Sequence, residues 1–155
     1  MIKMNKLISF VKQFTKEEVK ELNSAERIGR KYFYIKDELK QLKDKIDLEP
    51  YSAGLPLGEL VNNRFVPSLA LLEILARARY TDKMAFLNKK GETMFLYGRD
   101  VFEENIVKGR DKEGLVLVQN EKDENLGCGE IIIKRGKRIL KSILDKGDYL
   151  RREKR

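Results

Sequence analysis

Ten of the last 25 residues are Lys or Arg against three Asp or Glu, and most of these cations fall into two groups. Arg151, Arg152, Lys154 and Arg155 end the sequence. Lys134, Arg135, Lys137 and Arg138 surround Gly136, with Lys141 three residues past Arg138. Guanidinium and ammonium groups at this density attract phosphate, and a guanidinium plane also stacks on an unpaired base. The ordinary alternatives are a solubilising tail and an exposed turn. Gly98 and Arg99 form a third candidate, a glycine that lets a ligand backbone approach beside a cation. Its ordinary alternative is a turn-forming glycine with Arg99 paired to Asp100 or Glu103.

Charge is segregated along the 155 residues. Residues 1–90 carry 18 Lys and Arg against 12 Asp and Glu, residues 91–130 carry 5 against 10, and residues 131–155 carry 10 against 3. Nearly all of the net +8 can thus be assigned to the last 25 residues. An anionic partner is expected there, with the acidic block facing away from it.

The same inventory argues against chemistry. The chain has no His, the commonest general base and metal ligand. Its single cysteine, Cys128, permits neither an intramolecular disulfide nor a Cys-based zinc site. A nucleophilic role for Cys128 would need a Lys or a helix terminus to lower its pKa. The string GCG at 127–129 is not part of a GxGxxG or GxxxxGK pattern and reads as a bulge or close packing within a strand. Glu17 with Glu18, and Glu103 with Glu104, are adjacent and would lie on different helix faces. No catalytic residue, metal or cofactor is therefore expected. No apolar run approaches a membrane span, and the opening MIKMNKLISF lacks the continuous apolar stretch of a signal peptide. The expectation is a cytoplasmic monomer with no membrane partner.

Several elements would position the candidate residues. Leu7, Phe10, Val11, Phe14, Val19 and Leu22 repeat at near-helical spacing over 5–22, with a second helix start where Thr15 and Glu18 have capping-box spacing. KYFYI at 31–35 reads as a half-buried strand, and Tyr32, Phe33 and Tyr34 would offer a stacking platform if exposed. Residues 37–46 look helical, 49–60 a turn-rich connection, and Pro67 with Ser68 start a helix carrying Leu69, Leu72, Leu75 and Ala76. Residues 85–87 form a short strand, and the polar break at 88–91 marks a domain boundary. Beyond it, strands are expected at 93–97, 114–119, 127–133 and 148–152, with a short helix at 100–106 burying Val101, Phe102 and Ile106. Residues 138–144 fit helix or strand.

FLYGRDV at 95–101, GLVLVQNEKDENLGCGEI at 114–131 and GDYLRRE at 147–153 together resemble a PUA domain, a compact RNA-binding pseudo-barrel. PYSAGLPLGELVNNRFVPSLALLEILA at 50–76 resembles the pre-PUA region of the Nip-seven family of ribosome-biogenesis factors, archaeal type. The resemblance implies an α+β chain, with an N-terminal α/β domain at 1–88 built on an antiparallel sheet with flanking helices. A C-terminal PUA-type β pseudo-barrel would occupy 91–155. It implies binding of rRNA precursor in single-stranded or loop regions during large-subunit biogenesis, without catalysis, and ribosome-assembly proteins or the exosome as partners. The family's closing strand, beside the RNA, would hold Arg151 and Arg152. Two other functions fit the residues, a protein-interaction adaptor with a solubilising tail and an accessory subunit of an RNA-modifying enzyme.

Overall fold

The computed structural model describes residues 5–35, 54–77 and 81–148. The chain divides into two compact units, Met1–Tyr80 and Thr81–Arg155.

In the first unit, helix α1 (Asn5–Val11) and a 3-10 turn (Lys20–Ser24) precede a four-stranded antiparallel sheet. Its strands β1 (Ala25–Ile28), β2 (Lys31–Tyr34), β3 (Leu55–Val61) and β4 (Arg64–Pro67) pair in chain order. The six apolar residues expected on an amphipathic helix over 5–22 are all buried, yet the helix stops at Val11. The Thr15 hydroxyl explains part of this, because it accepts the Glu17 N–H at 3.0 Å in a tight turn in place of a capping box. β3 replaces the expected 49–60 connection from Leu55 onward. Its Pro56 and Gly58 look like turn residues, but Leu57 between them is a bulge, and at Gly58 a Cβ would meet the Phe65 ring and the Val66 carbonyl. Helix α2 (Leu69–Arg77) starts where expected, with the Ser68 hydroxyl accepting the Leu71 N–H at 3.1 Å. The helix expected at 37–46 lies outside the described residues.

The second unit is a six-stranded sheet ordered β6-β10-β9-β8-β5-β7, with helix α3 (Lys89–Leu96) packed against it. The strands are β5 (Met84–Leu87), β6 (Val101–Phe102), β7 (Ile106–Lys108), β8 (Gly114–Gln119), β9 (Asn125–Lys134) and β10 (Lys137–Asp145). The edge strands β6 and β7 are separated in sequence only by the 3-10 turn Glu103–Asn105. Six flat strands would put those edges about 24 Å apart. The short connection reaches roughly 14 Å at most, so the sheet must curl into a nearly closed barrel. Inside lie Ala85, Leu87, Phe95, Val101, Ile106, Val116, Val118, Leu126, Ile131 and Leu140. Gly127 and Gly129 face that interior opposite Val118 and Val116, and a Cβ on Gly127 would strike the Leu144 carbonyl, so GCG is indeed close packing.

Several expectations give way here. The strand at 85–87 exists, but β5 pairs with β7 and β8, so the break falls at Tyr80/Thr81 and not at 88–91. Asn88 is a helix cap, its side chain accepting the Gly91 N–H at 2.8 Å, and it turns the expected strand at 93–97 into α3. The expected helix at 100–106 is β6, the 3-10 turn and the start of β7; Val101 and Ile106 are buried, but Phe102 is 46% exposed. Residues 138–144 are strand, and 114–119 and 127–133 are strands as expected. Of the strand expected at 148–152, Asp148 continues a helical turn from Gly147, and the rest lies outside the described residues.

Candidate nucleic-acid interface

β9 and β10 are joined by Arg135 and Gly136, both with positive φ, 53° and 77°, the two-residue turn whose twist suits a hairpin. Lys134 and Lys137 face each other across it, and Lys134, Arg135 and Lys137 are all exposed. Like charges directly opposite destabilise a hairpin. Among the described residues none of the three has an ion-pair partner, so the tip presents free cations to solvent.

Arg138, expected to complete a four-cation turn, is engaged elsewhere. Its guanidinium donates to the Lys112 carbonyl at 3.2 Å and to Glu113 Oε1 at 3.3 Å, pinning the loop before β8. Because β10 is a strand, Arg138 and Lys141 point to opposite faces and share none. Lys141 is exposed and stands in register with Glu130.

Gly98 and Arg99 follow the end of α3, where a strand-to-helix turn was expected. Gly98 has φ 75°; its N–H donates to the Phe95 carbonyl at 2.9 Å, and the Arg99 N–H reaches Met94 at 3.0 Å. This crossed pair is the Schellman closure, so the glycine is required by the helix end itself. Arg99 is exposed and forms no ion pair among the described residues; the alternative pairing with Asp100 or Glu103 is not made. Beside it stands Tyr97, 67% exposed, which sequence reasoning missed by placing it in a strand. Helical spacing puts Tyr97 in line with Thr93 and Lys89, and Lys90 is exposed next to Lys89. An aromatic ring with cations along one helix suits both stacking and phosphate contact.

The remaining candidates divide. Arg151, Arg152, Lys154 and Arg155 lie outside the described residues. Tyr32 and Phe33 are buried and Tyr34 half-buried, so the three form no exposed stacking platform. Cys128 is wholly buried, and burial pushes its thiol up to about 12, with a backbone hydrogen bond at Leu144 acting the other way. A thiol so buried and protonated is no nucleophile at neutral pH. Among the described residues no group of three or more His, Cys, Asp or Glu could hold a metal ion, and no helix is long and apolar enough to cross a membrane.

The second unit is thus a curled sheet capped by one helix, with cations at a hairpin tip and an exposed tyrosine at the helix end. Residues 83–154 match the family model described as the UPF0113 PUA domain. The chain is 36% identical over 124 residues to a UPF0113 protein of Aeropyrum pernix, covering 79% of this chain and 70% of that one. It is 31% identical over 119 residues to a UPF0113 protein of Archaeoglobus fulgidus, covering 70% and 66%. The chain belongs to the UPF0113 family. A conserved PUA domain protein from Thermoplasma acidophilum superposes with a TM-score of 0.49 at 18% identity, over 66% of this chain and 72% of that one.

Proposed function

We propose that this chain is a non-catalytic RNA-binding protein that holds rRNA or its precursor during large ribosomal subunit biogenesis. The observation that carries RNA binding is the β9–β10 tip, where Lys134, Arg135 and Lys137 are exposed and, among the described residues, without ion-pair partners. Membership of a PUA family supports RNA as the anion, and exposed Tyr97 beside Arg99 supports single-stranded or loop regions, where bases are free to stack. The resemblance of residues 50–76 to the Nip-seven pre-PUA region supports the ribosomal setting, with assembly proteins or the exosome as partners. The absence of His and the burial of Cys128 support the non-catalytic reading.

The test is binding of a single-stranded oligouridylate across a salt series. Each phosphate contact contributes about −0.7 to the slope of log affinity against log salt, or roughly fivefold in affinity at ~0.1 M salt. Changing Lys134, Arg135 and Lys137 together to Ala should flatten the slope by about 2 and weaken binding roughly a hundredfold. An unchanged slope removes the hairpin from the site. The double change Arg151→Ala, Arg152→Ala tests the terminal arginines in the same way.

A further inference from the structure

The first unit carries a basic surface of its own. Its hairpins β1–β2 and β3–β4 close through Gly29–Arg30 and Asn62–Asn63. Register brings both turns to one end of the sheet, since Lys31 stands opposite both Ile28 and Glu59, and Val61 opposite Arg64. The Leu60 N–H ties them together by donating to the Arg30 carbonyl at 2.7 Å. Strands about 4.8 Å apart then spread Arg27 on β1, Arg30 and Lys31 at β2, and Arg64 on β4 over roughly 14 Å. Three strands and one turn thus carry four cations at this end, and the only carboxylates on the four strands are Glu26 and Glu59, the latter directly opposite Lys31.

These side chains are differently engaged. Arg27 donates from Nε to the Gly29 carbonyl at 2.7 Å and lies 5.9 Å over the Tyr32 ring, which holds it at the turn. Arg30 and Arg64 are exposed and, among the described residues, form no ion pair. Asn62 and Asn63, with φ of 52° and 63°, are exposed at the same end, and their amides are further donors for phosphate oxygens. The nearest tyrosine, Tyr32, is buried, and Phe65 beside Arg64 is half-buried against it, so no fully exposed ring stands at this end among the described residues. Two half-exposed valines, Val61 and Val66 at 42% and 41%, fall short of the apolar centre that a protein interface would need.

The geometry points to a second phosphate-contacting surface, formed by Arg30, Arg64 and the Asn62–Asn63 turn. It grips the backbone of the same single-stranded RNA that the second unit engages, without regard to base. This inference rests on RNA binding by the second unit and adds to it a longer, sequence-independent footprint.

The test uses the full chain with Arg30→Ala and Arg64→Ala combined, both exposed, and circular dichroism to check the fold. A long oligouridylate should bind the double variant roughly 25-fold more weakly at ~0.1 M salt, with the salt slope shallower by about 1.4. Arg30→Lys with Arg64→Lys should restore most of the affinity, because ammonium groups also meet phosphates. If the parent binds RNA and the double Ala variant binds it with equal affinity and slope, the surface is not an RNA contact, while the second unit's role stands. If the parent binds no RNA at all, the proposed function itself fails and this inference with it. A polyglutamate peptide is the other arm. Loss of peptide binding in the double variant with RNA binding intact would assign the surface to an acidic protein and overturn the RNA contact.

Discussion

Tyr32 and Tyr97 each lie near an arginine, one in each unit, and have opposite exposures. Tyr32 is completely buried, edge-on to Phe65 with ring centroids 5.5 Å apart, and Arg27 rests over it. Tyr97 stands out from the end of α3, with Arg99 exposed two residues on. A ring spent on the core leaves its arginines only phosphates to meet. A ring in solvent adds a surface on which a base can stack. Under the proposed function, the second unit would offer RNA both a stacking ring and cations, and the first mainly cations.

The supports of the two surfaces differ as well. An aromatic cluster of Phe10, Phe14, Tyr32 and Phe65 underlies the first. The second rests on backbone packed against backbone at Gly127, whose φ is 140° and whose added Cβ would enter the Leu144 carbonyl. Gly127→Ala should thus cost more than ~3 kcal/mol, combining left-handed strain with a clash that no side chain can relieve by moving. Gly136→Ala, in a left-handed turn with open space around it, should cost only about 1 kcal/mol. Urea unfolding compares them, and equal costs would refute backbone packing as the barrel's support.

Tyr97→Ala comes next in size. Stacking is worth about 1–3 kcal/mol per base, so RNA affinity should fall roughly 5- to 150-fold while the salt slope stays unchanged, since no charge is lost. Tyr97→Phe should bind as the parent does. The contrast with Arg30 and Arg64, where the slope itself changes, separates a stacking surface from an electrostatic one. A Tyr97→Ala variant with full affinity would make the two units alike.

Burial was easier to read from the sequence than element type. Leu7, Phe10, Val11, Phe14, Val19 and Leu22 were legible as core although the helix carrying the first three ends at Val11, because burial follows hydrophobicity while the Thr15 turn is a local hydrogen-bond choice. Thr93–Tyr97 misled through its β-prone aromatic composition; the cap at Asn88 outweighed it, and with that error Tyr97 was lost from the site. The basic end of the first unit was hidden for another reason. Its hairpin turns on Asn62–Asn63 with no glycine, and Pro56 and Gly58 disguise β3, so nothing local reveals that Arg30 and Arg64 come to the same end of the sheet. The Gly136 hairpin was legible because Arg-Gly between lysines marks a turn wherever it falls. The engagement of Arg138 was not, since Lys112 and Glu113 are 25 or more residues away.

Arg138 gives a smaller effect that sharpens which cations belong to the interface. Arg138→Ala should lower stability by about 1 kcal/mol, the bond to the Lys112 carbonyl counting for more than the solvent-screened pair with Glu113. Its RNA salt slope should match the parent's, whereas Lys137→Ala should flatten the slope by about 0.7. Equal slope changes in both variants would return Arg138 to the phosphate-binding set.

The smallest effect, absent at neutral pH, marks the second unit alone, because Cys128 is the chain's only thiol. Burial raises that thiol from 9.0 to about 12, so the folded state holds its proton more tightly than the unfolded state. The stability this contributes is fully present below pH 9, and is lost as pH climbs from 9 toward about 12. The useful quantity is the difference between the parent and Cys128→Ala. The parent should lose more stability over that range, with the two pH profiles parallel below it. Hydrogen exchange should place the extra loss in β8, β9 and β10 and leave β1–β4 unaffected. Native Cys128 should also resist a thiol reagent until the barrel opens, and rapid labelling of the folded protein would contradict its place in the packed wall.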